Sequence, residues 1–304
     1  MGYNTTVVQN ILDNTKKEVW PEIKRYLKDP TYPTQFKVPD KYKNDVGLYW
    51  KINRAYPERK GKYLRPTLVL LTAEALGAKR KEALKAAAAM QMSEEWILIH
   101  DDIEDNSEKR RGEPTLHKIY GNELAINAGD SLQIIMWKII NDIGMINDQR
   151  SRAINEEFYK MLLRTTLGQG VEQIWTNSKK KLSGQEYFFI ADSKSAYYSI
   201  AGPMRLGAII AGVTFQQLNK ITDFGLHLGR CFQLVDDLID FDQDKKEGKS
   251  TLANTKGVEY AKGLAEKEKV IAREIFDKEL GFLRNEPARS ELKELINFIL
   301  ERKY

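Results

Sequence analysis

Along most of this chain, apolar residues recur every three to four positions, the period of a helix with one buried face. The first such segment covers residues 4–28, with Val7, Val8, Ile11, Leu12, Val19, Ile23 and Leu27 in register. Asp29-Pro30 ends it, and Pro33 and Pro39 mark a loop. A short apolar helix is predicted over 62–76, with Arg65-Pro66 in its first turn and Gly77 closing it. A long helix follows over 80–105, and its run Ala86-Ala-Ala-Ala89 would admit a close neighbour. After a polar loop from Asn106 to Pro114, helices are predicted over 122–142 and 149–175. Lys179–Gly184 reads as a loop, followed by helices over about 185–199, 203–213 and 215–241. Asp242–Asn254 is a charged loop, and 257–304 returns to helical spacing through Leu264, Val270, Ile271, Ile275, Leu292, Leu295, Ile296, Ile299 and Leu300. No alternating strand run, short-period repeat or composition shift interrupts this pattern. The expectation is an all-α fold.

Two places break the apolar pattern with charge. Trp96-Ile-Leu-Ile99 leads through His100 into Asp101-Asp102-Ile-Glu-Asp105, and Phe232-Gln-Leu-Val235 leads into Asp236-Asp237-Leu-Ile-Asp240. Both have the form Asp-Asp-x-x-Asp. Residues i and i+4 share a helix face, so Asp101 stacks with Asp105 and Asp236 with Asp240. Acidic side chains are seldom buried unless paired or bound to a metal. Two such clusters, 135 residues apart, are expected to form two walls of one site with metal between them. Sharing a site would tie both halves into a single domain over 1–304.

Composition narrows the class. Of the 304 residues, 42% are hydrophobic and 30% charged, with nine prolines, which is a soluble and not a disordered chain. No apolar run reaches the roughly 20 residues of a membrane span. The start, Met-Gly-Tyr-Asn-Thr-Thr, lacks the basic and apolar regions of a signal peptide, and the expected location is cytoplasmic. The single cysteine, Cys231, excludes an internal disulfide or a cysteine metal cluster and reads as packing. The net charge of +5 suits an anionic substrate, and no aromatic-interleaved basic stripe points to nucleic acid.

Carboxylate pairs suit Mg²⁺, which takes hard oxygen ligands and is usually held by one or two carboxylates together with substrate phosphates. The substrate should then carry phosphate, and cations should flank the clusters. Lys109, Arg110 and Arg111 follow the first cluster, and Lys245, Lys246 and Lys249 the second. Gly61-Lys62-Tyr-Leu-Arg65-Pro66 is a third basic site and Lys194 a fourth. A lone Asp-Asp-x-x-Asp is more often a solvated helix end; two copies, each after an apolar run and before a basic loop, displace that explanation. A lone Gly-Lys-x-x-Arg-Pro is more often just a helix start. His100 reads as a satisfied core histidine, and Lys179-Lys-Lys as a solvated loop.

Together these stretches resemble the trans-isoprenyl diphosphate synthases, the polyprenyl synthetase family. The likeness runs over about residues 55–255 through Gly61–Pro66, Leu98–Asp105, Arg110-Arg-Gly-Glu-Pro114, Gly168-Gln169, Lys194-Ser195 and Phe232–Asp240, with an archaeal wording in the first acidic region. The resemblance implies helices around a deep central cavity, a homodimer, and condensation of isopentenyl diphosphate with an allylic diphosphate. It implies Mg²⁺, three ions per site with Mn²⁺ able to substitute, on Asp101, Asp105, Asp236 and Asp240, the last of these, like the catalytic residue Asp102, acting through water or from an outer shell. It implies Arg110, Lys194 and the Gly248-Lys249 loop on the allylic diphosphate, and Gly61, Lys62, Arg65 and Arg111 on isopentenyl diphosphate. Ser195 and Gln233 would face the developing cation. Several Mg²⁺ ions and fixed cations would stabilise the departing pyrophosphate, and a dry cavity would protect the cation.

The chain departs from the family pattern in places. Lys60 replaces the first glycine of Gly-Gly-Lys, Ser195 the threonine of Lys-Thr, and Glu172 the aspartate after Gly-Gln. Glu94 stands where His or Gln is usual near isopentenyl diphosphate, and its carboxylate would repel a diphosphate unless Lys62 or Arg65 pairs with it. The loop after Asp240 is short. Trp96, five residues before Asp101, is expected to floor the elongation pocket and hold products to C15–C20, with geranylgeranyl diphosphate as the expected product. Competing readings are a class I terpene cyclase, a non-catalytic subunit of a heteromeric synthase, and a helical binding protein with solvated acidic ends. The complete second cluster argues against the first, and the retained aspartates and arginines against the second. Mg²⁺-dependent diphosphate binding would exclude the third.

Overall fold

Helices carry nearly the whole chain. The computed structural model describes residues 5–28, 38–143, 148–180, 182–242 and 251–301. The helices are α1 (Thr5–Leu27), α2 (Lys43–Arg59), α3 (Leu64–Ala75), α4 (Arg80–Glu104), α5 (Leu116–Tyr120), α6 (Asn122–Asn141), α7 (Asp148–Asn177), α8 (Gly184–Ile190), α9 (Gly202–Ala211), α10 (Phe215–Ile239), α11 (Leu252–Lys256), α12 (Val258–Glu279) and α13 (Ala288–Leu300). A π-helix, Ala191–Ala201, joins α8 to α9. The one sheet among the described residues is a ribbon of β1 (Lys109–Arg110) and β2 (Glu113–Pro114). The chain divides into two compact units: Met1–Ile11 with Thr67–Ala83 and Asn147–Tyr304, and Leu12–Pro66 with Leu84–Ile146.

Most predicted helices stand within two residues of their expected bounds. Gly77 closes the stretch after α3 with φ +93, a backbone state that glycine adopts without strain. Two expectations need correction. Helix α2 lies in a stretch to which the apolar period assigns nothing, because Gly47, Pro57 and its many charged residues blur the stripe. The break expected between 199 and 203 is a continuous helix. Gly202 donates to the carbonyl of Tyr197, a wide-turn i→i−5 bond, and Pro203, which has no N–H to give, enters at the first turn of α9.

In the first unit, glycines let helices approach closely. A Cβ on Gly207 of α9 would lie 2.5 Å from the Val69 carbonyl oxygen of α3, and one on Gly225 of α10 would lie 2.5 Å from Ala201 Cα. In the second unit, α4 buries the whole run Ala86–Ala89 with Met90 and Met92. Cys231 is buried, and burial pushes its thiol up to about 12, which makes it inert packing.

Candidate active site

The first cluster belongs to the second unit. Asp101 and Asp102 lie in the last turn of α4, and the Asp105 amide still donates to the Asp101 carbonyl at 2.8 Å. The helical turn therefore continues, and Asp101 and Asp105 stay one turn apart on one face. Asp102 points the other way and is fully buried. It accepts the Tyr56 hydroxyl at 2.5 Å and the Arg110 Nε at 3.0 and 3.1 Å, and it also pairs with Arg110 Nη2. Burial, then the bond to Asp102, push the Tyr56 hydroxyl well above the usual tyrosine range, so it remains a donor. Arg110 Nη2 lies 3.8 Å from Asp101 Oδ2, which joins both aspartates to one guanidinium.

A tight ribbon separates the two arginines. Lys109 pairs with Pro114 and Arg110 with Glu113, and Arg111 and Gly112 form the turn with φ +55 and +83. Two successive positive φ values match the twist of a short hairpin. Arg110 thereby reaches Asp102, while Arg111 reaches Glu95, donating from Nη1 at 2.8 Å and Nη2 at 3.2 Å. Burial pushes the Glu95 carboxyl above its ordinary range against the pull of Arg111.

The Gly61–Pro66 segment meets this arrangement. A Cβ on Gly61 would lie 2.8 Å from Arg111 Nη2 and 3.3 Å from Glu94 Oε1, so a larger residue would have to push these side-chain ends aside. Lys60 has φ +49, where the family pattern has glycine, and Tyr63 has φ +62. Strained backbone of this kind collects at functional sites. Glu94 is paired, as its position required: Arg65 Nη1 stands 2.9 Å from Oε2 and Arg111 Nη2 stands 3.4 Å from Oε1. Lys62 is exposed. Trp96 is buried at 5% exposure, its indole Nε1 has no hydrogen-bond partner among the described residues, and its ring meets His100 edge-on at 5.8 Å. His100 corrects the expected core histidine: it is half-buried, with Nε2 3.3 Å from the Ile126 carbonyl and 3.5 Å from Asp130. It fits there because Gly129 leaves it space.

The second cluster, in the first unit, repeats the same construction. Helix α10 starts from a capping box of Thr214 and Gln217 and ends at Asp240, whose amide donates to the Asp236 carbonyl at 2.9 Å. Asp236 and Asp240 therefore share a face. Asp237 is buried and accepts the Tyr187 hydroxyl at 2.7 Å and the Gln233 amide at 2.7 Å. Burial, followed by the Asp237 charge and hydrogen bond, also drives Tyr187 far above the usual tyrosine range. The π-helix carries Lys194, which donates to Glu172 at 2.7 Å, and the half-buried Ser195. It is pinned from two sides. Gly168 of α7 leaves room for it, since a Cβ there would lie 2.8 Å from Ser193 Cβ, and Gly229 of α10 leaves room for Ala196. Arg230 grips Asp192 at two distances of 2.6 Å. Lys245, Lys246, Gly248 and Lys249 lie outside the described residues.

The sequence did not signal Tyr56, Tyr187, Glu95 or the Arg230–Asp192 pair. Each acts on a partner 16 to 50 residues away, beyond the reach of local periodicity. Among the described residues, no group of three or more His, Cys, Asp or Glu side chains could hold a metal by itself. Within each unit the acidic cluster offers one stacked carboxylate pair, a donor type that suits Mg²⁺ when phosphate oxygens and waters complete its shell.

An all-α chain with two such clusters has the isoprenoid synthase fold. It superposes on a geranylgeranyl pyrophosphate synthetase from the archaeon Geoglobus acetivorans with a TM-score of 0.82 at 25% identity, covering 96% of this chain and all of that one. The chain belongs to the polyprenyl synthetase family, whose model matches residues 48–257. It is 30% identical over 231 residues to a geranylgeranyl diphosphate synthase from Sulfolobus acidocaldarius, covering 72% of this chain and 68% of that protein. It is also 30% identical over 253 residues to a farnesyl diphosphate synthase from Geobacillus stearothermophilus, covering 80% and 78%. The protein is thus a prenyltransferase of the trans-prenyl diphosphate synthase type. Among the described residues, no helix is long and apolar enough to cross a membrane.

Proposed function

We propose that the chain is one synthase domain over 1–304 that condenses isopentenyl diphosphate head-to-tail with allylic diphosphates to a product of C15–C20, foremost geranylgeranyl diphosphate. The observation that carries this is the parallel build of the two clusters. In each, a buried tyrosine holds the middle aspartate and leaves the first and last carboxylates stacked on one face. Asp101, Asp105, Asp236 and Asp240 would hold Mg²⁺, three ions per site, with Mn²⁺ as a substitute. When bound, the metal supplies positive charge to a diphosphate leaving group. Geranylgeranyl and farnesyl diphosphate synthases among the relatives support this product range.

The residues divide the work by charge and position. Arg110, Lys194 and Lys249 hold the allylic diphosphate, and Asp102 and Glu172 keep two of those cations in place. Gly61, Lys62, Arg65 and Arg111 receive isopentenyl diphosphate. Ser195 and Gln233 turn their oxygens toward the allylic cation, and the amide of Gln233 is oriented by Asp237. The departing pyrophosphate accepts the final proton, so no protein base is required. The protein works as a cytoplasmic homodimer. An exposed apolar stripe on α7 supports this: Tyr159, Leu163, Leu167 and Ile174 share one face and are 51–64% exposed.

The test is incubation with Mg²⁺, labelled isopentenyl diphosphate and each allylic primer from C5 to C15, with the products sized. Incorporation to C15–C20 is expected, and none with any primer overturns the proposal. Asp101→Ala and Asp236→Ala should each lower turnover by at least about 100-fold while helical circular dichroism stays unchanged. Retained activity in either refutes the metal assignment.

A further inference from the structure

The site proposed for isopentenyl diphosphate contains two glutamates as well as three cations, and the two glutamates differ. Glu95 is 1% exposed, accepts from Arg111 and from Gln91 at 2.7 Å, and serves as the buried partner that fixes Arg111. Glu94 is less enclosed, with its side chain 13% exposed. Its carboxylate stands 3.3 Å from where a Cβ on Gly61 would lie, holds Arg65 at 2.9 Å and reaches Arg111 at 3.4 Å. An anion that is to touch both Lys62 and Arg65 therefore arrives where Glu94 already neutralises the guanidinium. The anion must displace Glu94 from Arg65 or remain beside a like charge. Either event subtracts from binding without contributing to the later loss of the allylic leaving group.

We infer that Glu94 is a built-in counter-ion that competes with the incoming diphosphate for Arg65, and that it sets the affinity for isopentenyl diphosphate. This rests on Lys62, Arg65 and Arg111 forming that subsite. Glu94→Gln keeps the shape and a hydrogen-bond acceptor for Arg65 but removes the charge. It should lower the KM for isopentenyl diphosphate by about fivefold, the equivalent of one partly exposed ion pair. The KM for the allylic primer and the Mg²⁺ dependence should remain unchanged. Adding Arg65→Ala to Glu94→Gln should abolish the gain, because the freed guanidinium is its source.

Calorimetry with inorganic diphosphate in metal-free buffer provides a readout independent of turnover. Binding tighter in Glu94→Gln than in the unaltered protein supports the counter-ion. Unchanged or weaker binding, or an unchanged or raised KM for isopentenyl diphosphate, overturns it. If circular dichroism shows that Glu94→Gln is unfolded, Glu94→Asp, which draws the carboxylate back by one methylene, carries the same test with a smaller gain. If the unaltered enzyme incorporates no isopentenyl diphosphate, the proposed function fails, and the calorimetry alone decides the role of Glu94.

Discussion

Lys60 shows how much a single residue can reveal. Its φ of +49 is a state that glycine accepts freely and lysine adopts under strain of about 1–3 kcal/mol. Residue 60 thus takes a glycine-like backbone state although it is lysine, and the Lys60 ammonium sits 5.1 Å from the Trp20 ring centroid. Asp102 and Asp237 carry a similar lesson. In Asp-Asp-x-x-Asp the middle residue looks like its neighbours, yet in both clusters it is buried and bound by a tyrosine. Trp96 is the residue on which product length is predicted to turn. Trp96→Ala should lengthen the product by at least one C5 unit, as sized by reverse-phase chromatography, while a truncation of this kind costs about 3–5 kcal/mol of stability. An unchanged product distribution from folded mutant enzyme would remove Trp96 from that role.

The informative element is the π-helix over Ala191–Ala201. It carries Lys194 between α7, where Gly168 makes room, and α10, where Gly225 and Gly229 make room. A Cβ on Gly229 would come within 2.4 Å of the Ala196 Cα, a backbone atom that cannot rotate aside. Gly229→Val should therefore push the π-helix off α10 at a cost of about 1–3 kcal/mol. The melting temperature should fall and the KM for the allylic primer should rise, with the KM for isopentenyl diphosphate unaffected. Equal changes in both KM values would mean that the packing supports the fold and not the placement of Lys194. The helical period anticipated most of these elements, because one buried face imposes its spacing on the residues. It did not anticipate the wide turn, which arises from packing against two other helices and from the bond between Gly202 and Tyr197.

For the molecule as a whole, the prediction concerns assembly. The α7 stripe leaves Tyr159, Leu163, Leu167 and Ile174 about half exposed, more apolar surface in one line than scattered exposure explains. Leu163→Asp combined with Leu167→Asp should convert the expected dimer to a monomer in sedimentation velocity experiments. An unaltered protein that sediments as a monomer, or a double variant that stays dimeric, would refute this interface.

The placement of the acidic residues was readable from the chain because charge amid apolar helix is conspicuous, and because i, i+4 spacing alone stacks Asp101 with Asp105 and Asp236 with Asp240. The basic segments at 61–66, 110–111 and 194 stood out in the sequence as cations near those clusters, and the family resemblance gave them their expected roles. Tertiary structure alone decided which of these charges are already committed. Asp102 belongs to Tyr56 and Arg110, Asp237 to Tyr187 and Gln233, Lys194 to Glu172, and Glu94 to Arg65. Most of these partners lie far apart in sequence. Ion pairs and hydrogen bonds act over a few ångströms, and only the folded chain brings such residues within that distance.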